Sequence, residues 1–278
     1  MTTTPHTVTH TVTHTVPPRS RAPATRAFAP ARVPDAAAPS GHRRPAWSLL
    51  ASEPLRAAVE AVQHFAEPDA ALACPGGGHT VVLFPGLASD GLALWPLRRH
   101  LQRAGFRALD WGDGLNTGPQ GDVHAWLDGL AERIQQRAAP ARTLSLVGWS
   151  LGGLYARELA KRWPQRVRQV VTLGTPFNGS VDDTHVGWLF RLLNGQPAPD
   201  EAQLRDRLAE PPPVPTVSLY SRRDGVVAWQ ACQHDRPGPL CRDIEVQASH
   251  LGMGWAPEVL SRVTALLAHP ALRAEAAR

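Results

Sequence analysis

Ser150 stands in Leu144-Ser145-Leu146-Val147-Gly148-Trp149-Ser150-Leu151-Gly152-Gly153, a β-type run passing directly into a helical one. A serine on so sharp a strand-to-helix turn projects its hydroxyl above the sheet, and only small residues two before and two after it avoid a clash. Gly148 and Gly152 meet that need on either side of Trp149 and Leu151. The turn also aims the first free N–H groups of the helix at a reacting centre where negative charge develops. A serine hydroxyl is a weak nucleophile at neutral pH and requires a base, itself oriented by a carboxylate.

Two later segments offer these groups. Asp224 lies in Ser221-Arg222-Arg223-Asp224-Gly225, after the strand-like Thr216 to Tyr220. His250 follows Ile244-Glu245-Val246 through Gln247-Ala248-Ser249. Each stands in a loop leaving the carboxyl end of a strand, where open α/β sheets assemble their sites. Asp-Gly is also an ordinary turn dipeptide, so a merely structural Asp224 stays open, with Asp182 and Asp183 as substitute acids. A core role for His250 is the corresponding alternative, while His79, His100, His124, His185 and His234 lack the loop setting.

The elements that must position these groups are legible from spacing. Apolar strands alternating with helical stretches from His79 onward predict a parallel sheet covered by helices on both faces. Strands are expected at Val81 to Phe84, Arg107 to Trp111, Leu144 to Val147, Val170 to Leu173, Val217 to Tyr220 and Ile244 to Val246. Helices are expected at Trp95 to Gln102, Val123 to Gln136, Leu151 to Arg162 and Pro257 to Ala268. An N-terminal helix within residues 46–68 would start at a Ser52 cap with Pro54 in its first turn, and would carry Leu55, Val59, Val62 and Phe65 on one face. The organisation expected is a disordered, low-complexity basic tail over residues 1–45 and one domain over 46–278, with a cap insertion at 178–213.

Composition narrows the classes. No stretch approaches the roughly 18 to 20 uninterrupted apolar residues of a membrane helix, and no recognisable export signal precedes the domain, so a cytoplasmic protein is expected. The net charge of +5 comes from the tail, where Arg19, Arg21, Arg26, Arg32, Arg43 and Arg44 face only Asp35. The rest of the chain is formally neutral, which argues for a solvated tail and against a nucleic-acid partner. Cys74, Cys232 and Cys241 are too few and too scattered for a metal site, although Cys232 and Cys241 are close enough to bridge. No metal, phosphate or nicotinamide motif is present, so no cofactor is expected.

The segments EPLRAA, VLFPGLASD, GLNTGP, GWSLGG, LGTPF, YSRRDG and SHLGMG together resemble the α/β-hydrolase superfamily, and within it a lipase- and esterase-like bacterial branch. The resemblance runs from about Trp47 to the C-terminus. It implies an α/β-hydrolase fold with Ser150 as nucleophile, Asp224 as acid and His250 as base. It also implies an oxyanion hole made by the backbone N–H groups of Leu87 and Leu151. Pro85 stands where many lipases carry histidine.

The insertion holds a short, largely apolar run, Val186 to Leu193, that suits a lid over an apolar acyl chain or ordinary packing. Trp149, Trp188 and Phe177 are the candidate pocket residues. The activity expected is cleavage of a small-molecule acyl ester or lipid through an acyl-enzyme. An acyltransferase or thioesterase on the same triad, or a non-catalytic binding protein on the same fold, are the alternatives.

Overall fold

A computed structural model of the chain describes residues 44–66, 75–178, 206–235 and 238–268. Six strands are formed: β1 (Thr80–Phe84), β2 (Arg107–Asp110), β3 (Leu144–Trp149), β4 (Val167–Leu173), β5 (Thr216–Tyr220) and β6 (Cys241–Glu245). Every neighbouring pair is parallel, and the order across the sheet is β2-β1-β3-β4-β5-β6. The order reverses between β1 and β3, which places the end of β3 beside the crevice where such sheets bind ligands.

Among the described residues the longer helices are α1 (Trp47–Ala66), α2 (Trp95–Arg103), α3 (Val123–Ala138), α4 (Leu151–Arg162) and α5 (Pro257–Ala268). Period-2 alternation in the strands separates two cores. Val82, Phe84, Leu144 and Leu146 point to one face, under Leu127, Leu130 and Ile134 of α3 and Leu154 and Leu159 of α4. Val81, Leu83, Val147 and Trp149 point to the other, against Leu97 and Leu101 of α2 and Val259, Leu260 and Val263 of α5. Each fully buried aliphatic side chain of this kind contributes about 1.5–3 kcal/mol relative to exposure. Asp122 caps α3 by accepting from Ala125 N at 2.8 Å. This is the parallel sheet between helical layers that the alternating pattern predicts, and the α/β-hydrolase fold that the resemblance implies.

Two expectations are corrected, and the cysteine pairing that the sequence left open is answered. Ser52 is not an N-cap: α1 starts five residues earlier at Trp47, Pro54 lies inside it, and Ser52 Oγ donates back to Leu49 O at 3.0 Å. β6 begins at Cys241, ahead of the expected Ile244, although Val246 N still donates to Tyr220 O at 2.9 Å. Cys232 and Cys241 are both buried and free, and burial pushes the Cys232 thiol pKa up.

The spacing of Leu55, Val59, Val62 and Phe65 does place them on one face of α1, but that face is exposed, Leu55 by 70% and Phe65 by 69%. The buried face is instead Glu53, Ala57 and Glu60. The described residues fall in a compact unit spanning 38–278; the other unit, residues 1–37, lies outside them, as do Asp182, Asp183, His185 and the Val186 to Leu193 run with Trp188.

Candidate active site

Ser150 closes β3 and opens α4 with φ of 53° and ψ of −121°. A non-glycine residue rarely adopts a positive φ, and holding one there stores backbone strain that surrounding packing must over-determine. The packing is visible at the flanking glycines. A Cβ on Gly148 would run into Gly152 O and Gly153 Cα, and one on Gly152 would run into Phe84 O. The elbow is therefore wedged between the end of β1 and the first turn of α4. Ser150 N donates to Leu173 O at 2.9 Å, which ties the elbow to the end of β4.

Asp224 and His250 meet. His250 Nδ1 lies 2.6 Å from Asp224 Oδ2, with both side chains buried. The other carboxylate oxygen, Oδ1, accepts from Val226 N at 2.8 Å and Val227 N at 2.7 Å, so the carboxylate has one orientation. The pair packs against Gly174, where a Cβ would lie 3.1 Å from both Asp224 Oδ2 and His250 Nδ1. Gly174 follows Leu173, the residue that receives the Ser150 N–H and pairs with Trp149 in the sheet. Trp149 Nε1 donates to His250 O at 3.0 Å, binding the histidine loop to the residue before Ser150.

Burial works against a charged imidazole and is the largest effect on His250. The charge and hydrogen bond of Asp224, with the charge of Glu53, outweigh it, and the pKa is raised above 6.5. A second histidine and carboxylate pair exists, His234 Nδ1 with Asp243 Oδ1 at 2.7 Å. Its other nitrogen, Nε2, lies 3.0 Å from Nη1 of the buried Arg157, so that ring is occupied on both sides.

The loop after β1 carries Leu87, and Ala88 beside it has a φ of 56°. Asn116, fully buried in GLNTGP, holds this loop from below. Its Nδ2 donates to Pro85 O at 2.9 Å, its carbonyl accepts from Ala88 N at 2.8 Å, and its Oδ1 accepts from Tyr155 OH at 3.1 Å and Gly118 N at 3.1 Å. Leu151, the first residue of α4, lies buried at the N-terminal end where the helix dipole is positive.

The pocket candidates separate. Trp149 is 7% exposed and packs in the core beneath the site. Phe177 is 1% exposed, with the Arg157 guanidinium 3.8 Å above its ring and the His234 ring 4.6 Å away. It therefore stacks inside the protein, where it is covered by a cation and an imidazole. A cavity of about 300 Å³ does open along α3 and α4, with Leu127, Leu154 and Tyr155 among its apolar lining and Glu158 and Arg207 on its polar side. Among the described residues, no group of three or more histidine, cysteine, aspartate or glutamate side chains is arranged to hold a metal ion, and no helix is long and apolar enough to cross a membrane.

Sequence reasoning missed Asn116, Glu53 and Glu60 as individual residues. The first two lie within segments that carry the family resemblance, so the signal was present without a role attached to it.

Fold and sequence converge on one class. The family model described as the α/β hydrolase fold matches residues 79–210, and the six-stranded parallel sheet with its helices has that fold. Its curated relatives are esterases. The chain is 30% identical over 101 residues to the pimeloyl-[acyl-carrier protein] methyl ester esterase of Shewanella woodyi, a match covering 36% of this chain and 37% of that one. It is 28% identical over 101 residues to the enzyme of that name from Shewanella oneidensis, covering 36% of each. The matched stretch thus spans little more than a third of those relatives. Among solved structures, a metagenome-derived lipolytic enzyme superposes with a TM-score of 0.53 at 13% identity, covering 69% of this chain and 94% of that one. A monoacylglycerol lipase from Paleococcus ferrophilus superposes at 0.50 and 17% identity, covering 68% and 93%.

Proposed function

We propose that the chain is a serine ester hydrolase that cleaves an apolar acyl ester through a Ser150 acyl-enzyme. The observation that carries this reading is the strained Ser150 elbow, joined through Trp149 and Leu173–Gly174 to a buried His250–Asp224 pair at 2.6 Å. In this reading His250 Nε2 accepts the Ser150 Oγ proton as Oγ attacks the ester carbonyl. Asp224 holds the Nδ1–H tautomer and stabilises the imidazolium. The N–H groups of Leu87 and Leu151 receive the oxyanion. His250 then returns the proton to the departing alcohol, and a water deprotonated by the same imidazole attacks the acyl-enzyme to release the acid and free Ser150.

The cavity along α3 and α4 is lined by none of Ser150, Asp224 and His250, so the apolar acyl preference rests instead on the relatives whose printed name is that of an acyl ester esterase. A panel of p-nitrophenyl esters of increasing chain length tests the reading. Turnover should favour an acyl chain over acetate, and Ser150→Ala should abolish it. A folded protein that turns over none of the panel, or a Ser150→Ala variant as active as the parent, would refute it.

A second reading is favoured by the curated relatives, whose printed name is that of an esterase for a carrier-bound acyl methyl ester. On that reading the acyl group arrives on a carrier protein, and free esters turn over poorly beside a carrier-bound methyl ester. Thioesterase or acyltransferase chemistry at the same serine would appear as cleavage of an acyl thioester, or as ester formation when an alcohol acceptor is added.

A further inference from the structure

The buried face of α1 carries two carboxylates on either side of Ala57; Glu53 reaches the loops of both the acid and the base, and Glu60 that of the base. Glu53 is 2% exposed. Its Oε1 accepts from Gly225 N at 2.7 Å and from His250 N at 3.1 Å, and its Oε2 accepts from Leu251 N at 3.1 Å. One carboxylate therefore binds the residue after Asp224 and the backbone of His250 itself. Two turns along the same face, Glu60 Oε1 accepts from Ser249 N at 2.8 Å and its Oε2 accepts from Ser249 Oγ at 2.6 Å. Ser249 Oγ in turn accepts from Gly252 N at 3.0 Å, so the segment on either side of His250 is held. The fit leaves no slack. A Cβ on Gly225 would lie 2.5 Å from the Leu49 backbone, and one on Gly252 would overlap the Glu60 carboxylate.

Resting on the serine hydrolase reading above, we propose that Glu53, assisted by Glu60, is a positioning residue for the catalytic pair. It fixes the spacing of the Asp224 and His250 loops and holds the imidazole in register with the elbow. A buried carboxylate is a costly way to hold two loops unless its charge is also answered, and Arg56 answers it. Arg56 Nη2 contacts Glu53 Oε1 at 2.9 Å, while its Nη1 donates to Arg223 O on the acid loop. α1 thus contributes two anions, a counter-ion and six loop hydrogen bonds to a site whose chemistry lies on other elements.

Glu53 also acts electrostatically. The charged groups around His250 are Asp224 from the loop after β5, and Glu53, Arg56 and Glu60 from α1; β3 and β4 present Trp149 and Gly174, which carry no charge. The Glu53 charge favours the imidazolium. Removing it lowers the pH at which His250 becomes a free base, whereas removing Arg56 raises it.

The test is the pH profile of kcat/KM on p-nitrophenyl butyrate for the parent, Glu53→Gln and Arg56→Gln, with melting curves for each. For Glu53→Gln, kcat should fall about 10- to 100-fold with KM little changed, since displacement of a catalytic group by about an ångström has effects of that size. Its acid midpoint should move to lower pH. Arg56→Gln should move the midpoint the other way, and it decides the matter if Glu53→Gln does not fold. A folded Glu53→Gln with the parent's kcat and midpoint, or an Arg56→Gln midpoint that is unmoved or lowered, overturns the proposal. A parent without esterase activity overturns instead the reading beneath it.

Discussion

A serine hydroxyl gains reactivity next to a base that a carboxylate has aligned, and a strand-to-helix turn presents it there in a backbone conformation it would not otherwise choose. Ser150 has that conformation, and His250 has that carboxylate. Asp224→Asn should keep the fold yet favour the wrong imidazole tautomer, lowering kcat by about 10³- to 10⁴-fold with KM nearly unchanged, as steady-state kinetics would show. The sign of the pH dependence follows from the raised His250 pKa. The base must be neutral to accept a proton, so activity should be lost as pH falls through a midpoint above the ordinary histidine value of 6.5; a midpoint below it would contradict the assignment of Asp224 and Glu53 as its partners. At this scale the pairing of Asp224 with His250 was legible in the sequence, because each sits in a loop leaving a strand whose apolar pattern is plain. Phe177 was not, because whether an aromatic lines a pocket or stacks under a buried arginine depends on Arg157 and His234, which come from distant segments.

At the level of elements, the strands and the helices α2 to α5 follow their hydrophobic periods, so their placement could be read within a few residues. α1 could not. Its apolar stripe has the spacing of a core-facing helix, yet the stripe faces outward and the carboxylates face in, because Glu53 and Glu60 satisfy backbone N–H groups that would otherwise be buried without partners. Such pairing across nearly two hundred residues leaves no periodic trace. The loop after β1 has the same character, since its anchor, Asn116, comes from the loop after β2. Asn116→Ala strips acceptors or donors from Pro85, Gly118 and Tyr155 at once and should destabilise the protein by about 1–3 kcal/mol. It should also lower kcat more than it raises KM, since the Leu87 amide would lose its place; a chemical-denaturation curve and kinetics on one ester check both.

For the molecule as a whole, the two cores on either side of the sheet account for the fold without the exposed face of α1. Leu55→Lys combined with Val62→Lys should therefore change stability by less than about 0.5 kcal/mol per site and leave ester turnover intact. A large drop in the melting temperature would mean that this face is covered in the folded protein. The rest of the account stands on one reactive side chain. Incubating the folded protein with a fluorophosphonate and mapping the adduct by peptide mass spectrometry tests that directly. The adduct should fall on Ser150, appear slowly or not at all in His250→Ala, and be absent from Ser150→Ala. A folded parent that takes up no probe, or an adduct on any other residue that persists in Ser150→Ala, would contradict the account.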